Sequence, residues 1–399
     1  MSKPLWSIIL PGGLSLLLGC AGLSHYDGRT EVVGFSNGDV RLSGILIEPV
    51  GEGPFPAVVF VHGSGPSTVD RPAWKAHANA FTKKGFAVLV YDKRGSGHSS
   101  GSLANADYAD LARDVISAVK YLRTRSGIRP NAIGILGRSE GGWVGPLAAS
   151  ELGDIAFVVM SSGSADSPYD QTLYALSREL REKRLPDSMI ARAIELRKRV
   201  WDYYRSASRD PRLATSSERD SLNNALGGFA KYELNEMPRQ LAPYDSAIYA
   251  ASTRMRFFDP LPVLERLNAP LLAVLGENDK SVDARSTVAK LEALRRNRDK
   301  NITIKIYPGT DHTLLSTPGV FGRYVPGYLD YIADWAASRA ADTVGDIRRP
   351  VAVYVNIAAE QRGREGLARH SVGVSAEKSM SRWSRLTAQR QRKSRSDKE

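Results

Sequence analysis

Cysteine is almost absent from this chain of 399 residues, in which Cys20 is the only one. A single thiol excludes disulfide bonds within the chain, so an oxidising compartment is neither required nor contradicted. The six histidines do not cluster at a spacing that is typical of zinc sites. The sequence therefore predicts neither a disulfide scaffold nor a metal centre.

Nucleotide-binding loops are missing as well. The chain has 35 glycines, but no glycine-rich loop opens a helix after a strand with the spacing that cradles a phosphate. We therefore expect no nucleotide cofactor, and no other cofactor is implied.

Excess charge is concentrated near one end of the chain. The net charge is +12, and residues 343–399 contribute 13 Lys/Arg against 6 Asp/Glu, or +7 of it. The other residues, with ordinary overall proportions of 42% hydrophobic and 25% charged side chains in the whole chain, indicate a globular protein. We predict a basic, disordered tail over 339–399. Binding of this tail to anionic lipid headgroups or nucleic acid is an alternative, and the modest charge elsewhere weighs against nucleic acid as a partner.

The first twenty residues have the pattern of an export signal. The apolar run over 5–18 is too short for a spanning helix of about 20 residues and fits a secretory signal. Leu17-Leu18-Gly19-Cys20 resembles the lipobox of bacterial lipoproteins. We predict a signal peptide over 1–19, lipidation of Cys20 and a linker over 20–30. The protein would then be an exported, membrane-anchored lipoprotein facing the periplasm or the cell exterior; an incidental thiol is the alternative.

Buried apolar runs alternate with amphipathic segments through most of the chain. The stretch from Glu31 to Val50 alternates apolar and polar residues around Asn37-Gly38, which indicates an antiparallel hairpin. The continuous apolar runs that follow indicate strands covered on both faces. These runs are 57–61, 87–91, 133–136, 155–160, 270–275 and 302–307. Helical patterns between them predict βαβ units and a parallel sheet.

This alternation stops between residues 165 and 257. No convincing buried strand occurs there, and charged helical segments are separated by prolines. Because the sheet pattern resumes at Pro270, we interpret 165–257 as a helical cap inserted into one core domain, whose two parts are 31–164 and 258–338. A separate helical domain is the alternative.

Three serines lie in the pattern Gly-x-Ser-x-Gly, at Ser36, Ser99 and Ser139. A serine on a strained strand-to-helix turn can present its hydroxyl as a nucleophile above a sheet. Ser36 belongs to the hairpin signal and Ser99 to a Gly/Ser-rich loop without a helix pattern. Only Ser139 follows an apolar strand and precedes a helical segment, so we predict it as the nucleophile.

A serine nucleophile needs a base, and the base needs a third group that orients it. Asp279 follows one predicted strand and His312 follows the next, which gives the order Ser, Asp, His found in one fold class. We predict His312 as the base and Asp279 as the acid. Other candidates for these roles are His62 for the base, and Glu277, Asp283 and Asp166 for the acid.

With these motifs the chain resembles the α/β-hydrolase superfamily over about residues 31–337. It is most similar to secreted bacterial esterases and to dipeptidyl or acylaminoacyl peptidases. The matching residues are His62-Gly63-Ser64-Gly65, Asp92 to Gly97, Gly137 to Gly142, Asp279 and His312. The resemblance implies an eight-stranded, mostly parallel sheet with helices on both faces, and an active site at the carboxyl ends of the strands.

The intermediate of such a reaction carries an oxyanion that needs two preorganised N–H donors. We expect the backbone N–H of Glu140 to be one donor. The loop 62–65 should supply the other, from Ser64 or alternatively from Gly65, with His62 shaping this loop. We also expect a salt bridge between Asp92 and Arg94 to brace neighbouring loops; a substrate role for Arg94 is the alternative.

These residues together predict a membrane-tethered serine hydrolase that cleaves carboxylic esters through an acyl-enzyme. A serine rather than an aspartate at position 139 argues against a dehalogenase-type hydrolase. An acylaminoacyl or dipeptidyl peptidase is the alternative enzyme, and a non-catalytic lipoprotein is the alternative of another class. The expected partners are a small-molecule ester or acyl-peptide substrate and the membrane.

Overall fold

The structure is a computed structural model, and it describes residues 26–241, 244–316 and 323–342. Several sequence-based predictions lie outside these ranges. They are the signal peptide over 1–19, the lipidation of Cys20 and nearly all of the basic tail, and they stay predictions. None of the helices in the described ranges is both long and apolar enough to cross a membrane.

Eight strands form one sheet in the order β1-β2-β4-β3-β5-β6-β7-β8. The hairpin strands β1 and β2 pair antiparallel, β2 also pairs antiparallel with β4, and every other neighbouring pair is parallel. This confirms the predicted mostly parallel eight-stranded sheet. The strands are β1 (Arg29–Asn37), β2 (Val40–Glu48), β3 (Phe55–Val61), β4 (Ala87–Tyr91), β5 (Ile128–Arg138), β6 (Phe157–Ser161), β7 (Leu271–Gly276) and β8 (Ile302–Tyr307).

Helices cover both faces of the sheet, as predicted. Apolar residues of α1 and α10 pack on one face, and those of α2, α3, α8 and α9 pack on the other. The helices are α1 (Pro72–Lys83), α2 (Tyr108–Arg123), α3 (Gly141–Leu152), α4 (Pro168–Glu182), α5 (Asp187–Arg209), α6 (Ser216–Gly227), α7 (Ser246–Arg256), α8 (Leu261–Arg266), α9 (Ala284–Arg298) and α10 (Tyr328–Asp342).

The central strand β3 is apolar at every position because both of its faces are buried. In β3, Val58 and Phe60 pack with α1 and α10, whereas Ala57 and Val59 pack with α2 and α3. All four side chains are fully buried. Alternate residues of a strand point to opposite faces, so a strand covered on both sides reads as a continuous apolar run.

The helices α4 to α7 lie between β6 and β7, within the segment predicted as a cap. They have an apolar core of their own, which includes Leu176, Val200, Leu222 and Tyr249. The last turn of α7 leads back to the core domain, where Arg254 forms an ion pair with Asp107 at the start of α2. The helical cap insertion is therefore a folded layer with its own interior.

The last helix, α10, begins at Tyr328. Val325 donates its N–H to the carbonyl oxygen of Leu314 (3.0 Å), and Tyr324 pairs with Leu315 in an isolated antiparallel bridge. An extended segment satisfies these backbone groups and so delays the helix.

His77 of α1 connects this helix to α10 beneath the sheet. Its Nδ1 donates to the carbonyl oxygen of Ala73 (2.7 Å), and its Nε2 accepts from the hydroxyl of Tyr328 (2.9 Å). The Tyr328 oxygen also lies 2.7 Å from Oγ of Ser161 at the end of β6. Burial lowers the pKa of His77 from its usual 6.5 to about 4, because a buried imidazolium would lose its hydration.

This shift predicts an acid-sensitive contribution to stability. Because the pKa of His77 is lower in the folded state, only the unfolded state binds its proton as the pH falls from about 6.5 towards 4, and stability decreases. Chemical unfolding at pH 6 and at pH 5 should show the wild type losing about 1 kcal/mol more than His77→Gln over that interval. His98→Gln, in an exposed loop, should behave as the wild type; an equal loss in His77→Gln would contradict the prediction.

Candidate active site

Ser139 lies on the turn between β5 and α3. Its φ of 54° is positive, a region that a residue with a side chain adopts at a cost. The turn is too tight for side chains at either flanking glycine. A Cβ at Gly137 would overlap the carbonyl oxygen of Gly141, and a Cβ at Gly141 would overlap that of Val61. The Ser139 N–H donates to the carbonyl oxygen of Ser161 (2.9 Å), which holds the turn against β6.

The structure brings the three predicted catalytic side chains into one hydrogen-bonded chain. Oγ of Ser139 lies 2.9 Å from Nε2 of His312, and Nδ1 of His312 lies 2.7 Å from Oδ2 of Asp279. The Asp279 carboxylate only accepts hydrogen bonds, so Nδ1 carries the imidazole proton and Nε2 accepts from the serine hydroxyl. The Asp279 side chain is 0% exposed and that of His312 is 25% exposed.

Asp279 is fixed by several donors besides the imidazole. Its Oδ1 accepts from the backbone N–H groups of Ser281 (2.8 Å) and Val282 (2.9 Å). The backbone carbonyl oxygen of Asp279 accepts from the hydroxyl of Tyr174 in α4 (3.1 Å). A buried carboxylate needs such partners. They orient Asp279 before any substrate arrives, and one of them belongs to the cap.

In the part of the chain that the structure describes, backbone N–H groups without a hydrogen-bond acceptor occur at the Ser139 turn (the elbow) and in the loop after β3. A Cβ at Gly63 would lie 3.3 Å from Cβ of Ser139, so the loop after β3 passes beside the serine. Within the described ranges, the N–H groups of Glu140, Ser64 and Gly65 have no acceptor. An open donor of this kind is what an oxyanion requires. Both Ser64 and Gly65 remain candidates for the second donor.

Residues 58–324 match the alpha/beta hydrolase family. The chain belongs to this family.

Among curated proteins, the hydrolase is 26% identical to Esterase EstD of Thermotoga maritima over 297 residues, a match that covers 71% of the hydrolase and 61% of EstD. It is 30% identical to Acyl-coenzyme A thioesterase 3 of Mus musculus over 132 residues, which covers 31% of the hydrolase and 27% of that protein. The hydrolase thus spans about three fifths of the esterase and a smaller share of the thioesterase.

Among solved structures, the alpha/beta hydrolase GrgF of Penicillium sp. matches with a TM-score of 0.53 and 17% identity, covering 78% of the hydrolase and 99% of GrgF. The hypothetical protein PA2218 of Pseudomonas aeruginosa matches with a TM-score of 0.52 and 18% identity, covering 82% and 100%. At these identities the likeness shows a shared fold.

The alternative acids of the hydrolase are occupied elsewhere. Asp166 accepts from the hydroxyl of Ser286 and from the ammonium of Lys290, each at 2.6 Å. Glu277 accepts from the N–H of Gly309 (3.0 Å). Asp283 caps the start of α9 through two backbone N–H groups. None of these three carboxylates hydrogen-bonds His312.

His62, the alternative base, is also held away from Ser139. One ring nitrogen, Nε2, bonds the carbonyl oxygen of Tyr91, and Nδ1 bonds the hydroxyl of Ser67 (2.9 Å). Burial, followed by the charge of Lys93, lowers the pKa of His62 to about 3. The imidazole is therefore neutral, and its hydrogen bonds shape the loop beside the elbow.

The predicted salt bridge between Asp92 and Arg94 was wrong, because these two residues do not pair with each other. Arg94 forms a two-point ion pair with Asp114 of α2, at 2.6 and 2.7 Å. The carboxylate of Asp92 instead accepts from the N–H groups of Val69 (2.9 Å) and His98 (2.8 Å). Because α2 supplies a carboxylate that matches the guanidinium fork, Asp92 is free to bind loop backbone.

Sequence reasoning missed a buried ion pair next to the nucleophile. The ammonium of Lys93 lies 2.6 Å from the carboxylate of Glu140, and these side chains are 5% and 8% exposed. Lys93 also donates to the carbonyl oxygen of Gly63 (3.0 Å). One ammonium therefore joins the residue after the nucleophile to the loop that carries Ser64. The signal available in the sequence was two residues of opposite charge, Lys93 and Glu140, each shortly after the end of a predicted strand.

Removing one partner of this ion pair should be costly. In Lys93→Met, the carboxylate of Glu140 would stay buried without its partner, so we expect the free energy of unfolding to fall by about 3–5 kcal/mol. Urea denaturation measures this loss. Lys280→Met, which breaks an exposed ion pair with Glu182, should cost less than about 1 kcal/mol. Equal losses in the two variants would contradict the expectation.

A cavity beside α1 and α10 does not contain the reacting atoms. It measures about 800 Å³ and is lined by Arg138, Thr313, Leu315 and Tyr324, together with residues of α1 and α10. Arg138 and Thr313 adjoin Ser139 and His312 in sequence, but neither Ser139 nor His312 lines it. We therefore do not assign this cavity to the reacting part of a substrate.

Proposed function

We propose that this hydrolase cleaves carboxylic esters through an acyl-enzyme intermediate on Ser139. The observation that carries the proposal is the hydrogen-bonded chain from Ser139 through His312 to the buried Asp279, on a turn whose neighbouring N–H groups are open. A nucleophile, a base and an orienting carboxylate in this geometry suit acyl transfer.

In the acylation step, Oγ of Ser139 attacks the ester carbonyl carbon while Nε2 of His312 takes the serine proton. The carbonyl electron pair moves to the oxygen, and the resulting oxyanion is bound by the N–H of Glu140 and by that of Ser64 or Gly65. Each such donor contributes about 3–4 kcal/mol to the transition state in other enzymes. The tetrahedral intermediate then collapses, the ester C–O bond breaks, and the imidazolium of His312 protonates the leaving alkoxide.

In the deacylation step, a water molecule takes the place of the alcohol. His312 accepts a proton from the water as its oxygen attacks the acyl carbon. The second tetrahedral intermediate releases Oγ of Ser139, which recovers its proton from His312, and the carboxylic acid leaves. Asp279 stays ionised throughout and stabilises the imidazolium by accepting from Nδ1.

The choice of ester bonds is supported by the similarity to an esterase over most of the hydrolase. The thioesterase similarity involves a related acyl transfer. An acylaminoacyl or dipeptidyl peptidase would use the same chemistry on an amide, and no contact in the described residues specifically favours it. The test therefore compares ester substrates with peptide-like substrates.

The test combines a probe with a substrate panel. A fluorophosphonate should label the wild type and should not label Ser139→Ala, whereas Ser36→Ala, which changes another serine of the same motif, should be labelled normally. Turnover of p-nitrophenyl esters of several acyl lengths should exceed that of acylaminoacyl and aminoacyl p-nitroanilides. Labelling that does not depend on Ser139 would refute the nucleophile, and faster cleavage of the anilides would refute the ester assignment.

A further inference from the structure

A small cavity lies inside the helical cap. It measures about 200 Å³ and is bounded mainly by side chains of α5 and α7. Its lining includes Arg197, Trp201, Tyr204, Thr253, Arg256 and Phe257. Its size is suited to a small molecule and falls below the range of drug-sized pockets.

Two arginines contribute positive charge to this cavity. Arg197 is 8% exposed, and its guanidinium carbon lies 4.4 Å from the ring centre of Trp201. Arg256 is half-buried, and its Nη1 donates to the hydroxyl of Thr172 at 3.3 Å. Within the described ranges, neither guanidinium forms an ion pair. Buried arginine is usually paired with an acid, so this arrangement is unusual.

Two buried polar atoms of the lining also lack partners. Nε of Arg197 and Oγ1 of Thr253 are inaccessible to solvent, and neither has a hydrogen-bond partner in the described part of the chain. A buried polar atom without a partner costs about 1–3 kcal/mol. Most such atoms in folded proteins are satisfied, so two of them beside one cavity mark polar groups that the described part of the chain does not satisfy.

One acid lies near the two arginines. Glu236 interacts with both; burial raises the pKa of its carboxyl group, and the two arginines oppose this shift. Even when ionised, a single carboxylate cannot neutralise two guanidinium groups. Burial, followed by repulsion from Arg256, lowers the pKa of Arg197 to about 10. Arg197 is still charged at neutral pH. The cavity therefore holds two cations that repel each other and carries a net positive charge.

We propose that this cavity binds the carboxylate of a small organic acid between Arg197 and Arg256. A guanidinium offers a planar fork of donors that matches a carboxylate. The rings of Trp201, Tyr204 and Phe257 supply apolar contact for the rest of the molecule. An inorganic anion would make no use of this apolar part of the lining, so an organic acid fits better.

Calorimetric titration of the full-length protein with benzoate tests this proposal, and benzamide is the neutral control of the same shape. Benzoate should bind at one site per chain and at least tenfold more tightly than benzamide. Arg256→Gln should weaken benzoate binding at least tenfold. Arg199→Gln removes a charge from the exposed side of the same helix and should bind benzoate as the wild type does.

Three results would overturn the proposal. They are the absence of saturable benzoate binding, equal affinities for benzoate and benzamide, and an unchanged affinity in Arg256→Gln. Circular dichroism shows whether this variant is folded, and the comparison of the two ligands in the wild type does not depend on it. Inorganic phosphate binding as tightly as benzoate would refute the organic part of the assignment.

The carboxylate has two possible sources, a free acid or an arm of the hydrolysed substrate. Titration after fluorophosphonate modification of Ser139 separates them. An unchanged affinity assigns the cavity to a free acid; a lost affinity, together with a lower KM for esters that carry a carboxylate, assigns it to the substrate. The calorimetric result does not require turnover, so it holds even if the proposed esterase activity fails.

Discussion

Replacing Ser139 with alanine is expected to lower kcat for a p-nitrophenyl ester by about 10⁶-fold, the loss seen when a comparable serine is removed from another triad enzyme. Nε2 of His312 is hydrogen-bonded to Oγ of Ser139, so the substitution removes the hydroxyl from which this base accepts. The N–H donors beside the elbow would remain, and they should keep the residual rate above that of the uncatalysed reaction.

The same experiment can show whether serine and histidine act as one unit. His312→Ala should lose about as much activity as Ser139→Ala, and the double variant should be no worse than either, because each single change already disables the nucleophile. Stopped assays at high enzyme concentration would measure these small rates. Losses that add on a logarithmic scale would show that the two residues act separately.

Asp279→Asn is expected to lower kcat by about 10⁴-fold while leaving the fold intact. The asparagine oxygen can still accept from the N–H groups of Ser281 and Val282, which bond Oδ1 in the wild type. Its NH₂ group would then face Nδ1 of His312 and donate to it. This arrangement moves the imidazole proton to Nε2, which can no longer accept from Ser139.

A matched control is available four residues further along the chain. Asp283 caps α9 through the N–H groups of Arg285 and Ser286, and asparagine is an equally good cap. Asp283→Asn should therefore keep both activity and stability. Measuring kcat and the unfolding free energy of both variants would separate an effect on the imidazole from an effect on packing. A wild-type kcat in Asp279→Asn would exclude Asp279 as the orienting group.

The sheet could be predicted from the sequence because burial on both faces leaves a simple pattern. Apolar runs marked β3, β4, β7 and β8 to within a few residues, and Asn37-Gly38 marked the hairpin turn. The cap was harder. The sequence indicated helical segments there without their bounds, and α5, α6 and α7 were not predicted individually. Their apolar residues contact each other rather than a sheet, so the stripe on each helix is narrow.

The positions of the three catalytic candidates followed from where strands end. The contacts of Lys93 did not, because they depend on strand order. Lys93 follows β4, Gly63 follows β3 and Glu140 follows β5, and the sheet places β3 between the other two. A lysine is long enough to reach across one strand end. Nothing in the linear sequence states that these three ends are neighbours, and the same limit explains the wrong pairing of Asp92 with Arg94.

The hydroxyl of Tyr174 joins the first cap helix to Asp279, so the fit of a substrate against the cap would affect the reaction rate. Tyr174 belongs to the first cap helix and bonds the carbonyl oxygen of Asp279, so a ligand that displaces α4 also moves the loop that orients the imidazole. A poorly fitting ester could then bind as tightly as a good one and still react slowly. Discrimination between substrates would appear in kcat rather than in KM, because the cost of a misplaced cap falls on the transition state.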